Sequence, residues 1–169
     1  MTRLMLHVLA GMAVGALVSG CAGGRHPHGM GAGPLIVPAT VCPPQACDVQ
    51  VKVWTDPAGV CRLQVSDDTI QVSRGRSPVL TWQLKPLNPA DGYDYRFNAA
   101  SGVAFKASSP ITAQDFVGGN AVGHDKYRWR AVNGRARDFF YDVNLQRKGA
   151  SGGWADCPVL DPRIVNDGP

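Results

Sequence analysis

The sequence predicts an all-β fold, an antiparallel β-sandwich of about seven or eight short strands, for residues 42–169. Three observations support this fold class. Apolar residues alternate with polar ones along many short segments, and the apolar positions are rich in valine and aromatic residues. Turn-forming residues separate these segments. Beyond the first twenty residues, no stretch repeats its apolar residues with the period of a helix.

The first clear strand is residues 48–54, where three valines alternate with polar neighbours. The same period of two predicts further strands at residues 61–65, 70–72, 80–84, 93–97, 103–106, 127–131 and 141–145. Asn133-Gly134 is compatible with a tight hairpin turn after the strand at 127–131. Residues 108–125 are predicted to be irregular, with one helical turn around residues 112–116. Frequent turns between short strands are typical of immunoglobulin-like or cupredoxin-like sandwiches.

The N-terminus has the layout of a secretory signal peptide, with Arg3 followed by the apolar run 4–18. A membrane-spanning helix would need about 20 apolar residues. The run ends at Leu17-Val18-Ser19-Gly20-Cys21, which resembles the lipobox of bacterial lipoproteins. The resemblance implies that residues 1–20 are a signal peptide and that Cys21 carries the lipid. Because the residue after the lipidated cysteine is Ala22, the resemblance also implies that the protein lies at the outer membrane and faces the periplasm. The alternative is an ordinary signal peptide with a cysteine nearby.

The segment that follows, residues 21–41, is predicted to be the lipidated cysteine and a flexible tether, because it is rich in glycine and proline and lacks periodicity. It contains His26, His28 and Met30, which could hold a copper or nickel ion loosely. The alternative is a solvated linker in which these side chains bind nothing.

Four cysteines remain once Cys21 is assigned to the lipid, and an even number in an oxidising compartment predicts two disulfides. The sequence leaves three possible connectivities, of which we favour Cys42–Cys47 and Cys61–Cys157. A metal site made of these four cysteines is the alternative, but their spacing does not match paired zinc ligands.

A resemblance adds to the fold prediction. Trp82-Gln83-Leu84, residues 92–97, residues 140–143 and residues 157–166 together resemble a group of uncharacterised proteobacterial proteins with a cupredoxin-like sandwich. The resemblance covers about residues 48–167 and implies a fold, not an activity. A blue-copper site needs two histidines, a cysteine and usually a methionine. After residue 30 the sequence has one histidine, His124, and no methionine, so we expect no copper and no other cofactor.

The sequence offers little for catalysis, and we expect that the protein is not an enzyme. A serine hydrolase needs a positioned histidine base, for which His124 is the one candidate in the predicted domain, and it lies in a predicted loop. Asp67 and Asp68 are adjacent, so they do not form the spaced carboxylate pair of a glycosidase. A hydrolase is kept as a remote alternative.

Basic alternation is the most informative surface feature. Lys126, Arg128 and Arg130 should share one face of a strand, and Arg135 and Arg137 could extend that face beyond the next turn. Such a face could contact anionic components of a bacterial envelope or an acidic partner protein. The alternative is a solvated face that prevents sheet edges from pairing.

Exposed aromatic residues would indicate sugar binding. Trp54, Trp82 and Trp129 lie in or at the ends of strands and are predicted to be core residues, whereas Trp154 follows a Ser-Gly-Gly turn and is predicted to be exposed.

These features predict a non-catalytic envelope protein that is held at the membrane by its lipid and acts through binding or structural contact. A metal-handling lipoprotein that uses the tether histidines is the alternative. The formal net charge of +4 is too small for a nucleic-acid-binding protein, so nucleic acid is not an expected partner.

Overall fold

The computed structural model describes residues 39–169, in which the chain forms thirteen strands and no helix. The strands are β1 (Thr40–Val41), β2 (Ala46–Thr55), β3 (Cys61–Val65), β4 (Thr69–Val72), β5 (Val79–Pro86), β6 (Tyr93–Phe97), β7 (Val103–Phe105), β8 (Phe116–Val122), β9 (Lys126–Ala131), β10 (Ala136–Val143), β11 (Leu145–Gly149), β12 (Ala155–Asp156) and β13 (Arg163–Asp167). The predicted all-β class is confirmed, with several short strands that the sequence pattern does not reveal. No helix in this part of the chain is long and apolar enough to cross a membrane.

The strands form three sheets. The β9 sheet has the order β3-β2-β5-β9-β8, the β10 sheet has the order β1-β4-β13-β10-β7, and the small sheet has the order β12-β11-β6. Most pairings are antiparallel, as predicted, but β1–β4, β4–β13 and β2–β5 are parallel. The β2–β5 pair is parallel because the chain leaves the β9 sheet to form β4 and then returns beside β2.

The core lies between the two large sheets and follows from the period of two. Val49, Val51 and Val53 on β2 are fully buried. Trp82 on β5 meets Tyr141 on β10 with ring centroids 5.3 Å apart, and the Trp82 indole N–H donates to the Tyr141 hydroxyl at 3.2 Å. Burial raises the pKa of Tyr141. Large apolar residues from both sheets therefore interlock, as in a β-sandwich.

Two disulfides connect the chain, and they have the favoured connectivity. Cys42 is bonded to Cys47 beside the start of β2. Cys61, the first residue of β3, is bonded to Cys157, which follows β12, with a Cα–Cα distance of 5.4 Å. The second bond therefore connects an edge of the β9 sheet to the segment that leads into β13.

The predicted strand at residues 141–145 is wrong in one respect, because it belongs to two sheets. Strand β10 ends at Val143 in the β10 sheet, and β11 begins at Leu145 in the small sheet. Asn144 lies between them, and its side-chain amide donates to the carbonyl of Ser101 at 2.7 Å. The apolar alternation continues through the junction, so it cannot reveal the change of sheet.

The predicted hairpin at Asn133-Gly134 is also wrong. Strand β9 pairs with β5 and β8, while β10 lies in the opposite sheet, so these residues carry the chain across the sandwich. Asn133 has a positive φ of 57° and is buried. Its amide donates to the carbonyl of Ser73 at 2.8 Å and accepts from the backbone N–H of Gly168 at 3.1 Å. The same Asn-Gly chemistry therefore makes a crossover here.

Residues 108–125, predicted to be irregular, contain β8. The predicted helical turn corresponds to a single turn in which the N–H of Phe116 donates to the carbonyl of Thr112 at 3.2 Å. Strand β8 lacks strict alternation because its register with β9 shifts between Val117 and Asn120. Such a bulge removes the period of two on which the prediction depended.

Candidate functional site

Strand β9 places the predicted basic residues on the outer face of the β9 sheet. Arg128 and Arg130 are exposed and Lys126 is half-buried, whereas Tyr127 is buried on the opposite face. The alternation of side chains along a strand produces this separation. The three cations therefore lie in one row, with neighbouring members about 7 Å apart.

Trp129 fixes this strand from its inner face. Its indole N–H donates to the carbonyl of Val103 at 2.9 Å. Its ring packs against Gly119 so closely that a Cβ atom at Gly119 would lie 2.1 Å from a ring carbon. Only glycine fits at this position, which lies within the bulge of β8. The basic row is thus carried by a strand that its neighbours hold in place.

Two lysines outside the predicted row extend the basic face. Lys52 on β2 and Lys85 on β5 are register partners in the parallel pair β2–β5. Lys85 is exposed and Lys52 is half-buried, and both lie on the outer face. Neighbouring strands are about 4.8 Å apart, so two like charges in register repel each other. We define the basic face as Lys52, Lys85, Lys126, Arg128 and Arg130.

The cations of the basic face have no ionic partner within the described part of the chain. The ion pairs among residues 39–169 all involve other lysines and arginines. Among the outward-facing residues of β2, β5 and β9, Asp48 is acidic. It is the register partner of Thr81, which in turn is the register partner of Arg128, so one strand lies between Asp48 and Arg128. The basic face therefore presents uncompensated positive charge to solvent.

The predicted extension of this face by Arg135 and Arg137 is wrong, because the chain crosses to the opposite sheet before β10. Arg135 forms an ion pair with the buried Asp115, where its Nε donates to Oδ1 at 2.8 Å. Arg137 is on β10, and its guanidinium lies 5.5 Å from the centre of the Phe139 ring. Neither arginine can join the basic face.

A cleft of about 560 Å³ opens beside the basic face, where the β2–β3 turn meets the loop between β5 and β6. Trp54, Tyr93 and Leu87 provide an apolar lining, and the remaining lining residues are Thr55, Asp56, Pro57, Gly59, Asn88 and Asp91. Leu87 is 53% exposed, and Trp54 is half-buried. A mostly apolar cleft with a few polar groups is the usual form of a small-molecule or sugar site.

Asp91 organises the floor of this cleft. Its carboxylate accepts from the Tyr95 hydroxyl at 2.6 Å, from the backbone N–H of Tyr93 at 3.0 Å and from that of Thr55 at 3.4 Å. Partial desolvation opposes ionisation, but these hydrogen bonds outweigh it and hold the pKa of Asp91 below its usual value. Desolvation, together with the bond to Asp91, raises the pKa of Tyr95 to about 12. Asp91, Tyr95 and Thr55 therefore form one hydrogen-bonded network at the cleft.

Arginines lie near both carboxylates of the cleft, and one of them forms an ion pair there. Arg62 donates to Asp56 at 2.9 Å. Arg147 donates to the Thr55 hydroxyl at 3.1 Å, helps to lower the pKa of Asp91, and lies 5.0 Å from the centre of the Tyr93 ring. The cleft thus has little net charge, in contrast with the basic face beside it.

Trp54 is the residue that sequence reasoning misplaced. It was predicted to be a core residue, but it lies on the outer face of β2 and lines the cleft. The pattern contained the signal: Val49, Val51 and Val53 point inward, so the next residue must point outward. Trp154, predicted to be exposed, is half-buried with the Arg96 guanidinium 3.9 Å from its ring centre. Trp82 is buried, as predicted, and Trp129 is half-buried.

Of the residues on which the alternative functions depend, the structure describes His124 but not those of the tether. His124 is exposed in the turn between β8 and β9, and no hydrogen bond within residues 39–169 joins its imidazole to an acid or a hydroxyl. No group of three or more metal-ligating side chains is found in this range. Cys21, His26, His28 and Met30 lie outside the described residues.

No protein-family model matches the chain, and no curated protein is significantly similar to it.

Proposed function

We propose that this protein is a lipid-anchored protein of the bacterial cell envelope that binds an anionic envelope component through the basic face. The observation that carries the proposal is the row of cations on β9, joined by Lys52 and Lys85, without an ionic partner among the described residues. An anionic partner would relieve the repulsion between these charges.

The anchor is proposed from Cys21 and the lipobox-like residues before it. A lipid at that position, followed by a tether, would keep the sandwich near the membrane surface and raise its effective concentration there. Weak contacts with an anionic surface polymer would then suffice for stable association.

The binding experiment measures retention of the full-length protein on washed envelope fragments. Lys126→Glu, Arg128→Glu and Arg130→Glu are combined in one variant, because cations near an anionic surface contribute about 1 kcal/mol each. We expect the apparent affinity to fall on the order of a hundredfold. The matched control is Arg163→Glu on the β10 sheet, whose guanidinium already pairs with Asp138. Equal retention of the triple variant and the unaltered protein would contradict the proposal.

The anchor is tested separately with Cys21→Ser. The expected result is loss of labelled palmitate incorporation and a shift from the membrane fraction to the soluble fraction. A Cys42→Ser, Cys47→Ser variant provides the control, since it removes two other cysteines without touching position 21. Continued palmitate incorporation in Cys21→Ser would disprove the anchor.

A further inference from the structure

We infer that the cleft lined by Trp54, Tyr93 and Leu87 is a sugar-binding subsite, and that the anionic partner of the basic face is a polysaccharide. The second half of this inference rests on the function proposed above. The first half stands on the cleft alone.

The lining has the chemistry that a pyranose ring requires. One face of a sugar ring exposes C–H groups, which pack on aromatic and aliphatic side chains, while its hydroxyls need donors and acceptors at the rim. Trp54, Tyr93 and Leu87 supply the apolar surface. The exposed amide of Asn88 offers both a donor and an acceptor at the rim.

Charge balance favours an uncharged group in this cleft. Asp56 is paired with Arg62, and Asp91 is held by Tyr95 and lies near Arg147. A cationic ligand would find both carboxylates already engaged, and an anionic one would find Arg62 and Arg147 engaged as well. A neutral ring with hydroxyls faces neither cost.

The position of the cleft links it to the basic face. Trp54 and Lys52 are two residues apart on the same strand and the same outer face, which places them about 7 Å from each other. Lys85 is the register partner of Lys52. A chain of sugars with one ring in the cleft would therefore carry its carboxylates or phosphates across the lysine pair toward Arg128.

Three probes separate the two halves of the inference in titration calorimetry of the full-length protein in detergent. Alginate hexasaccharide has sugar rings and charge, chitohexaose has sugar rings without charge, and linear polyphosphate has charge without sugar rings. Trp54→Ala should weaken both glycans about tenfold and leave polyphosphate within about twofold. The triple charge reversal on β9 should weaken alginate and polyphosphate and leave chitohexaose unchanged.

Two further variants guard against a folding effect. Leu87→Asp changes an exposed residue on the cleft wall and should reproduce the selective loss of glycan binding. Trp154→Ala removes a tryptophan outside the cleft and should leave all three affinities unchanged.

The outcomes are distinct. Absence of binding by both glycans, or equal losses for alginate and polyphosphate in Trp54→Ala, would overturn the sugar subsite. If polyphosphate still depended on the β9 cations, the proposed function would survive that result. If chitohexaose bound through Trp54 but polyphosphate ignored the charge reversal, the sugar subsite would stand and the basic face would fall.

Discussion

The basic face on the β9 sheet and the outer face of the β10 sheet use charge in opposite ways. On the β10 sheet, Arg163 pairs with Asp138 at 3.3 Å, and Lys106 pairs with Asp161 at 2.7 Å and with Asp142 at 3.4 Å. The bond to Asp161 raises the pKa of Lys106, so this lysine stays charged. On the β9 sheet, the five cations of the basic face have no such partner within residues 39–169.

This difference is the support for the proposal that the basic face binds an anionic partner. Exposed ion pairs add little to stability, but they remove repulsion and leave a neutral surface. Lysines placed in register, as Lys52 and Lys85 are, work against stability. A face that carries this disadvantage is better explained by binding than by folding, which is the physical basis of the proposed function.

Breaking the disulfide that connects the edge of the β9 sheet to the segment before β13 should give the largest effect. Replacing Cys61 and Cys157 with alanine removes a bond between residues 96 positions apart. In the chain-entropy model, a loop of that size corresponds to about 4–5 kcal/mol. We expect a loss of that order in the free energy of unfolding, measured by chemical denaturation under oxidising conditions.

The short disulfide provides the control. Cys42 and Cys47 are five positions apart, so the same model gives about 2 kcal/mol for their replacement by alanine. Equal losses from the two pairs would show that loop closure does not account for the difference.

The ion pair at the crossover should rank next. Asp115 is fully buried and accepts from Arg135 and from the backbone and hydroxyl of Thr112. Asp115→Ala leaves these donors without an acceptor and should cost about 2–3 kcal/mol. The comparison is Asp138→Ala on the exposed β10 face, where the loss should be under about 0.5 kcal/mol.

The pH dependence of this pair has a definite sign. The hydrogen bond from Arg135 is the main cause that lowers the pKa of Asp115 below its ordinary value of 3.8. The stabilising contribution is therefore complete above pH 3.8 and is lost as the pH falls through the lowered pKa. Denaturation of the unaltered protein and of Asp115→Ala should converge in acid. A constant difference down to low pH would contradict this assignment.

The network below the cleft should give a smaller effect, visible in alkali. Tyr95→Phe removes the hydroxyl that bonds to Asp91 and Thr55 and should cost about 1–2 kcal/mol at neutral pH. Because the pKa of Tyr95 is raised from 10.0 to about 12, neutral tyrosine stabilises the fold fully below pH 10 and this contribution fades toward pH 12.

The measurement is the free energy of unfolding of both proteins from pH 8 to pH 12. The difference in the free energy of unfolding between the unaltered protein and Tyr95→Phe should shrink above pH 10. The reason is that Tyr95 ionises at a lower pH in the unfolded state than in the folded state. An advantage that stays constant across this range would show that Tyr95 is not held in its neutral form.

The same comparison of regions explains what could be predicted from the sequence. The valines of β2 and the basic row of β9 follow strict alternation, so the fold class and the side on which Lys126, Arg128 and Arg130 lie were predictable. Lys52 and Lys85 were not, because their proximity depends on the parallel pairing of β2 with β5. Local periodicity specifies a side chain's face but not the neighbouring strand.

The predictions that the structure contradicts failed for the same reason. Asn144 separates two strands, and Asn133 directs a crossover, through hydrogen bonds to Ser101 and Ser73 that are distant in sequence. The cleft likewise depends on a turn and a loop about 30 residues apart meeting in space. Of the cleft residues, Trp54 could have been placed from the sequence, because it follows the inward-facing Val53 in the alternation of β2.

The smallest expected effect is a change in melting temperature. It tests the contrast between the two faces most sharply, because the sign of the change should differ between them. Arg130→Gln removes one of several repelling cations and should raise the melting temperature by about 1–2 °C at low salt. Arg163→Gln breaks an ion pair with Asp138 and should lower it by a similar amount. Both shifts should fade in about 1 M salt, where the Debye length is near 3 Å. Scanning calorimetry at two salt concentrations measures them. Shifts of the same sign would mean that the cations of the basic face do not repel one another, which would contradict the proposed anionic partner.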